Sequence, residues 1–286
     1  TQCRALSTFF SFGQTLPTHR AAYSEYGGLF QPTITQAIRL LSAQPFHEER
    51  DHYPFERPHF SAKLWSPDLV DPFSSNQLSY PMAYSTNGKD TFPAPSSYLS
   101  RRHSWVHIFP EGRIHQHPLL TMRYFRWGVS RLILESEPLP QIIPIFIDGT
   151  QQIMHESRKF PRFIPRVGKD VKVVFGEDVD GEKVFGDLRR KWKHLVELQK
   201  DALRRKGSDD QLEMGELTEG LKYHPEVVEL RLEVTRRMRG EILKLRRSLG
   251  YAEEDPKNGL VETWEVEGRA GAREGEMKDG SWVKEE

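Results

Sequence analysis

Five consecutive residues, Phe109-Pro110-Glu111-Gly112-Arg113, combine a carboxylate and a guanidinium with two turn-forming residues. Proline fixes one backbone torsion and glycine tolerates a positive φ, so we expect the chain to turn sharply here. A guanidinium at such a turn can bind a phosphate group through two parallel hydrogen bonds. A solvated surface turn has the same composition, and turn chemistry alone favours that simpler interpretation.

Two other segments have residue types suited to the same chemistry, although each is ambiguous by itself. Residues 13–20 end at Arg20, which a loop could bring to the same site, but an exposed loop arginine explains the segment better. Residues 144–149 have the pattern of a buried strand followed by an Asp-Gly turn. His115 and His117 lie two residues apart, but no third ligand is nearby in the sequence, so we expect no metal site.

Alternating short strands and helices are predicted to position these residues. A β-prone run leads into the Pro-Glu-Gly turn, and open α/β sheets bind ligands at the carboxyl ends of their strands. Apolar periodicity predicts further strands and helices, which together indicate an α/β fold, a mostly parallel sheet flanked by helices. The predicted strands are at 105–109, 142–147 and 171–175, and the predicted helices are at 33–41, 121–137, around Leu188 and Trp192, and at 225–249.

Composition divides the chain into segments of different character. Eight prolines between residues 43 and 100 predict a long irregular insertion, because proline breaks both helices and strand ladders. The last part of the chain has glycine and charge but no apolar period, which is typical of disorder. The predicted division is 1–42 and 101–206 as two parts of one domain, 43–100 as the insertion, 207–250 as a helical C-terminal extension, and 251–286 as an acidic disordered tail.

The charge distribution constrains the partners only weakly. The formal net charge of +0 hides a tail, residues 251–286, with a net charge of −6, and a body, residues 1–250, with a net charge of +6. A basic body favours anionic membrane surfaces or nucleic acid, but an ordinary solvated surface explains it equally well. No nucleic-acid-binding module is recognisable, and no apolar run reaches the roughly 18 residues of a membrane-spanning helix.

The order and spacing of the segments resemble the glycerophospholipid acyltransferase family, and within it the tafazzins. Residues 105–113 resemble the family's third motif, residues 142–149 its fourth, and residues 12–20 with Gln31 its second. Residues 123–133, Arg-Tyr-Phe-Arg-Trp-Gly-Val-Ser-Arg-Leu-Ile, are similar to a helix that marks tafazzins. The long insertion and the extended C-terminus are similar to those of fungal members.

This resemblance implies a glycerolipid acyltransferase-like fold and a transacylase that needs no cofactor. Such enzymes move fatty acyl chains between phospholipids and lysophospholipids, and the partners expected here are phosphatidylcholine, monolysocardiolipin and cardiolipin. They are interfacial proteins of mitochondrial membranes that face the intermembrane space. By family analogy, the acceptor's glycerophosphate is held by Arg20, Phe109, Pro110, Glu111, Gly112 and Arg113.

The chain departs from the family at the residues that carry catalysis. The family's chemistry rests on an H-x-x-x-x-D motif, whose His acts as general base on the acceptor hydroxyl while the Asp orients the imidazole. None of the 11 histidines has an Asp five positions later. We expect the motif either to lie upstream in a longer chain or to have been lost. No catalytic residue is therefore assigned, and we expect residues 1–286 alone to be inactive.

Three functions remain open from the sequence. The first is a tafazzin-like acyltransferase whose His-Asp pair lies upstream, with a lysophosphatidic-acid-type acyltransferase as a close variant. The second is a non-catalytic, membrane-associated lipid-binding protein of the same fold. The third is a nucleic-acid binder, which only the basic body favours.

Contact with a bilayer surface is predicted for the segment 121–134. Cationic and aromatic side chains together suit a membrane interface. A helix packed on the sheet with its arginines in solvent is the plainer interpretation, and the two are compatible. The residues concerned are Arg123, Arg126, Arg131, Phe125, Trp127 and Leu132.

Overall fold

The chain forms two compact units. Unit 1 lies within Thr1–His107, Arg131–Pro140 and Lys193–His224, and unit 2 lies within Ile108–Ser130, Gln141–Trp192 and Pro225–Glu286. The computed structural model describes residues 13, 15–20, 24–43, 83–89, 91–93, 104–117, 119–155, 164–205, 214–267, 275–276 and 282–283.

Helix α1, Pro32–Leu40, organises unit 1. Proline suits the first helical position because the amide it lacks would have no partner there. The helix buries the face formed by Thr33, Gln36, Ala37 and Ile38. The helix predicted at 33–41 from its apolar spacing is therefore confirmed.

A short hairpin lies in the region that the sequence predicts to be an irregular insertion. Strand β1, Ala83–Ser85, pairs antiparallel with β2, Thr91–Pro93. Thr86 is buried between them and its hydroxyl lies 2.7 Å from the His19 ring nitrogen. The prediction of irregular structure is wrong for this hairpin, whereas residues 44–82 and 94–100 lie outside the described residues.

A fully buried ion pair ties together three segments of unit 1. Helix α2 is Gly128–Glu135, and within it the Arg131 guanidinium donates two hydrogen bonds of 2.6 Å to the Glu135 carboxylate. The same guanidinium donates to the carbonyls of Leu29, at 3.2 Å, and Gly215, at 2.8 Å. Because the Arg131 side chain is 1% exposed and that of Glu135 is 4% exposed, each depends on the other for its charge balance.

Unit 2 contains an antiparallel strand pair. Strands β3, Ile145–Asp148, and β4, Lys172–Phe175, pair with Ile145 opposite Phe175 and Asp148 opposite Lys172. The strand positions predicted at 142–147 and 171–175 are confirmed within a few residues. The mostly parallel sheet is not confirmed, since the three strand pairs of the described ranges are all antiparallel. A parallel crossover usually contains a long helix, whereas the described residues between β3 and β4 contain only α3, Thr150–Ile153.

Two long helices and one short helix complete the larger elements. They are α4, Gly181–Arg205, α5, Glu219–Tyr223, and α6, Pro225–Ser248. Helix α6 packs on β3, and its core residues Val227, Val234 and Met238 are almost fully buried. The helices predicted around Leu188 and at 225–249 are confirmed.

Two predicted elements are absent or shorter than the sequence suggests. Residues 105–109 form no strand, Trp105 is 87% exposed, and His107 is exposed rather than packed. Of the helix predicted at 121–137, only α2 is formed, because residues 121–126 are non-helical. Their backbone groups bind side chains from elsewhere in unit 2.

The first part of the predicted disordered tail is packed in unit 2. Two 3₁₀ helices, Pro256–Gly259 and Glu262–Glu267, follow α6, and Trp264 is 4% exposed. The prediction of disorder is therefore wrong for residues 251–267. Further on, β5, Gly275–Glu276, pairs antiparallel with β6, Trp282–Val283.

Across the described ranges, no helix has both the length and the hydropathy needed to cross a bilayer.

Candidate functional site

The Phe109–Arg113 segment forms a tight turn at the surface of unit 2. The Gly112 amide donates to the Phe109 carbonyl at 3.0 Å, and Gly112 has a φ of +65°. A Cβ at Gly112 would lie 3.1 Å from Cγ of Arg126. Both the left-handed backbone and the close neighbour favour glycine here, as the turn chemistry of the sequence predicts.

The turn is fixed at two points to the extended segment 119–126. The Arg126 amide donates to the Pro110 carbonyl at 2.7 Å, and the Arg123 amide donates to the Glu111 carboxylate at 2.9 Å. The Glu111 side chain therefore holds the backbone of the site, a role that its position in a turn motif does not reveal.

Helix α6 holds the other side of the segment 119–126 through two buried arginines. Arg239 donates to the carbonyls of Arg123, at 3.0 Å, and Met122, at 2.8 Å. Arg246 donates to the carbonyls of Leu120, at 3.0 Å, and Leu119, at 2.8 Å. These hydrogen bonds replace the ladder or helical bonds that the segment lacks, since a buried carbonyl without a partner is costly.

A buried carboxylate, Glu254, contacts both arginines and is a shared counter-ion for them. One oxygen lies 2.5 Å from the Arg239 guanidinium, and the other lies 3.4 Å from Arg246 and accepts the Met122 amide at 2.8 Å. The Arg123 guanidinium stacks 4.4 Å from the Trp264 ring centroid, a cation–π contact. Glu111 and Glu254 thus share one buried cluster of charged groups with Arg123, Arg239 and Arg246.

Burial raises the pKa of Glu111 from 4.5 to about 7. The hydrogen bond from the Arg123 amide and the charges of Arg123 and Arg239 oppose the rise in pKa, while the negative charge of Glu254 adds to it. The desolvation of the carboxylate is the largest effect, because removing a charge from water favours the neutral acid.

We expect Glu111→Gln to change how the stability of unit 2 depends on pH. The folded protein with Glu111 binds a proton more tightly than the unfolded chain does, so Glu111 favours folding most below pH 4.5. That contribution falls as the pH rises through about 7. Relative to the Gln variant, the wild-type free energy of unfolding should therefore fall by about 1–3 kcal/mol between pH 4.5 and 8.

Urea unfolding at each pH measures this difference. Glu253→Gln is the matched control, because the Glu253 side chain is 74% exposed and lies beside Glu254. The structure indicates that the Glu111 carboxylate is desolvated. Parallel pH profiles for wild type and Glu111→Gln would contradict this.

The predicted lipid-binding residues of the turn differ in how exposed they are. Phe109 is 65% exposed and Gly112 is exposed, whereas Pro110, Glu111 and Arg113 are half-buried. The turn therefore presents an aromatic ring and the Gly112 backbone to solvent. Direct contact between Glu111 and a lipid stays a prediction.

Arg20, the remaining predicted site residue, belongs to unit 1. Its side chain is exposed, and its carbonyl accepts the Ser24 amide at 3.0 Å. A role in holding phosphate stays a prediction for this residue.

The paired histidines serve packing and backbone capping. Nδ1 of the buried His117 accepts the Leu119 amide at 3.0 Å, and the His115 ring meets Trp264 edge-on at 5.0 Å between centroids. In the part of the chain that the structure describes, no group of three His, Cys, Asp or Glu residues could hold a metal ion.

Sequence reasoning missed Arg239, Arg246 and Glu254. A signal was present in α6, where Arg231, Arg239 and Arg246 recur at intervals of eight and seven residues and so share one helix face with the apolar stripe. Arginines on a buried face require partners, and those of Arg239 and Arg246 lie in the segments 119–123 and 251–254.

Comparison with known proteins finds relatives that match this chain over part of their own length. No protein-family model matches the chain. The tafazzin of Saccharomyces cerevisiae is 30% identical over 271 residues, which cover 92% of this chain and 60% of that protein. The protein named Taffazin of Dictyostelium discoideum is 38% identical over 85 residues, 28% of each chain.

A plant relative carries a different name. The N-acylphosphatidylethanolamine synthase of Arabidopsis thaliana is 35% identical over 79 residues, 27% of this chain and 28% of that protein. The chain thus spans 60% of the length of the yeast relative and smaller parts of the other two.

Proposed function

We propose that this chain, whose similarity to the yeast tafazzin extends over 92% of its length, holds the lipid acceptor in a phospholipid acyltransferase. The extent of the similarity to the yeast tafazzin is the observation that carries the proposal. The name of the plant relative, which denotes synthesis of an acylated phospholipid, supports the same class of chemistry.

The substrates proposed are phospholipids and lysophospholipids. The reaction is acyl transfer from a phospholipid such as phosphatidylcholine to monolysocardiolipin, which gives remodelled cardiolipin and a lysophospholipid, at a mitochondrial membrane facing the intermembrane space. The acyltransferase-like fold with a mostly parallel sheet, and the division into a split domain, an insertion and a C-terminal extension, belong to this proposal.

The acceptor site is proposed at the Phe109–Arg113 turn of unit 2, and for Arg20, which belongs to unit 1, a role in holding phosphate stays a separate prediction. Phe109 and the backbone of Gly112 are exposed, so a lipid headgroup can reach both. An arginine near such a turn supplies the charge that a phosphate needs. The turn's own geometry does not depend on the ligand, since Glu111 and Pro110 already anchor it to the segment 119–126.

The test uses this chain fused to an N-terminal segment that carries the family's H-x-x-x-x-D motif. We expect Arg20→Ala and Glu111→Ala each to lower acyl transfer about 10- to 100-fold, since a charged hydrogen bond contributes roughly 1.5–3 kcal/mol. Arg190→Ala is the matched control, because Arg190 is an exposed arginine on α4.

Thermal melting beside an acceptor titration separates contact from folding. For Arg20, weaker acceptor saturation at an unchanged melting temperature supports direct contact. Lower melting temperature with unchanged kinetics at permissive temperature would show that the residue only stabilises the fold. For Glu111 we expect both quantities to change, because its carboxylate holds the Arg123 amide.

The membrane-contacting surface is proposed at β4 and the loop before it rather than in the segment 121–134. Four of the residues that the sequence predicts for contact, Arg123, Phe125, Arg131 and Leu132, are buried, so that prediction is wrong for them. On β4 and the loop before it, both apolar and cationic side chains are exposed. They are Val167, Val171, Val173 and Phe175 with Arg166, Lys169 and Lys172.

This β4 surface combines the two features that favour anionic bilayers, apolar side chains for shallow insertion and cations for the headgroups. We expect Val173→Asp with Phe175→Asp to lower binding to cardiolipin-containing vesicles about tenfold, measured by flotation at low salt. Leu232→Asp with Leu260→Asp places the same two changes at exposed apolar positions elsewhere in unit 2. Equal binding by the two variants would place the contact elsewhere.

A second candidate is a non-catalytic, membrane-associated lipid-binding protein of the same fold, which the absence of an H-x-x-x-x-D motif from the full-length protein would favour. Both candidates use the acceptor site and differ only in chemistry, so an acyl-transfer assay separates them.

A further inference from the structure

We infer that Glu254 is a positioning residue for the Phe109–Arg113 turn, acting through the segment 119–123. The inference rests on the proposed function in one respect, namely that the turn holds a lipid acceptor. It assigns a role in the site to a residue of the acidic C-terminal segment, which the sequence presents as a solvated tail.

Charged side chains bind all four backbone polar groups of Met122 and Arg123. The Met122 amide donates to Glu254 and the Arg123 amide donates to Glu111, at 2.8 and 2.9 Å. The two carbonyls accept from one guanidinium, that of Arg239. Consecutive amides are thus held by two different carboxylates, one from the turn and one from the C-terminal segment.

Glu254 is the counter-ion that the two buried arginines of this arrangement share. Its side chain is 2% exposed, and it contacts both Arg239 and Arg246, whose side chains are 10% and 1% exposed. Without it, two buried guanidinium groups would lose their counter-ion and be driven toward water. Their hydrogen bonds to the carbonyls of residues 119–123 would then be lost with them.

The effect reaches the turn because Glu111 has its anchor in the same segment. If Met122 and Arg123 shift, the Arg123 amide leaves the Glu111 carboxylate, and one of the two attachments of the turn is broken. The C-terminal segment reinforces the arrangement at a second point, since Trp264 packs 4.4 Å beneath the Arg123 guanidinium. Glu254 therefore determines the geometry of the turn without touching a ligand.

The experiment combines amide hydrogen exchange with ligand binding on the 286-residue chain. The probe is glycerol 3-phosphate, and its binding is followed by the NMR shift of the Gly112 amide. We expect Glu254→Ala to speed exchange of the Met122 and Arg123 amides at least tenfold. We also expect it to weaken binding of the probe about tenfold.

Two comparisons separate positioning from general loss of stability. Exchange at Val234, in the middle of α6, reports unfolding of unit 2 as a whole, and the inference requires its rate to rise much less than that of Arg123. Glu253→Ala, the exposed neighbour, should leave both exchange and binding unchanged. If Glu254→Ala fails to fold, Glu254→Gln is measured in its place, because the amide oxygen can still accept the Met122 amide.

Exchange rates at Arg123 and Val234 that rise by the same factor would overturn the inference, as would unchanged exchange at Arg123. Inorganic phosphate is titrated in parallel, and equal affinity for it would mean that the turn recognises phosphate alone rather than glycerophosphate. A wild-type chain that binds neither probe would overturn the proposed acceptor site. In that case the exchange rates still decide whether Glu254 positions the turn.

Discussion

Fusing this chain to an N-terminal segment with an H-x-x-x-x-D motif should raise acyl transfer about 10²- to 10⁴-fold above that of the 286-residue chain alone. The sequence contains no histidine with an aspartate five positions later, so the chain itself has no such general base for the acceptor hydroxyl. Without one, deprotonation must rely on water, and that factor is what a positioned base typically contributes.

Labelled phosphatidylcholine and monolysocardiolipin in liposomes provide the assay. Replacing the histidine of the added motif by alanine is the control, and it should return transfer to the level of the chain alone. A chain that transfers as fast alone as in the fusion would refute the assignment of the missing base. A fusion that binds lipid but stays inert would favour the non-catalytic candidate.

Arg131→Ala should lower the free energy of unfolding of unit 1 by about 3–5 kcal/mol. The substitution leaves the Glu135 carboxylate, 4% exposed, without its partner, and a buried unpaired charge is strongly destabilising. It also removes the donors to the Leu29 and Gly215 carbonyls, so three segments of the unit lose their common attachment.

Urea unfolding followed by circular dichroism measures the loss. Arg190→Ala should change stability by less than about 0.5 kcal/mol, because the Arg190–Glu182 pair is exposed. The double variant Arg131→Met with Glu135→Leu should be more stable than Arg131→Ala, since no charge remains buried. A loss below about 1 kcal/mol for Arg131→Ala would mean that water reaches Glu135 in solution.

The spacing of apolar residues correctly predicted those elements whose structure depends mainly on their own residues. Helices α1 and α6 were predicted because each carries an apolar stripe at helical spacing. The strands β3 and β4 were located for a similar reason, but this pair is antiparallel and the mostly parallel sheet was not confirmed. A short apolar run has the same composition in a parallel and in an antiparallel pair, and the choice depends on the connection between the strands.

Long-range contacts account for the elements that local pattern missed. Residues 121–126 have helix-compatible residues, yet their backbone binds Glu111, Glu254 and Arg239, all distant in sequence. In the candidate site, the turn at Phe109–Arg113 followed from proline and glycine chemistry, whereas Glu254 lay in a segment whose composition is that of a solvated tail. No local property distinguishes a buried glutamate such as Glu254 from an exposed one when its partner arginines are on a separate element, here α6.

The hydrogen bonds from α6 to the segment 119–123 determine which residues can be substituted without loss of these bonds. Arg239 and Arg246 recognise carbonyl oxygens, which every residue possesses, so these hydrogen bonds place no demand on the side chains of Leu119 or Leu120. The arginines have no such freedom. A lysine has a single ammonium group. The planar guanidinium of arginine has several N–H donors, which here bind adjacent carbonyls and a carboxylate at the same time. These hydrogen bonds alone therefore tolerate substitution of Leu119 and Leu120 but not of Arg239 or Arg246.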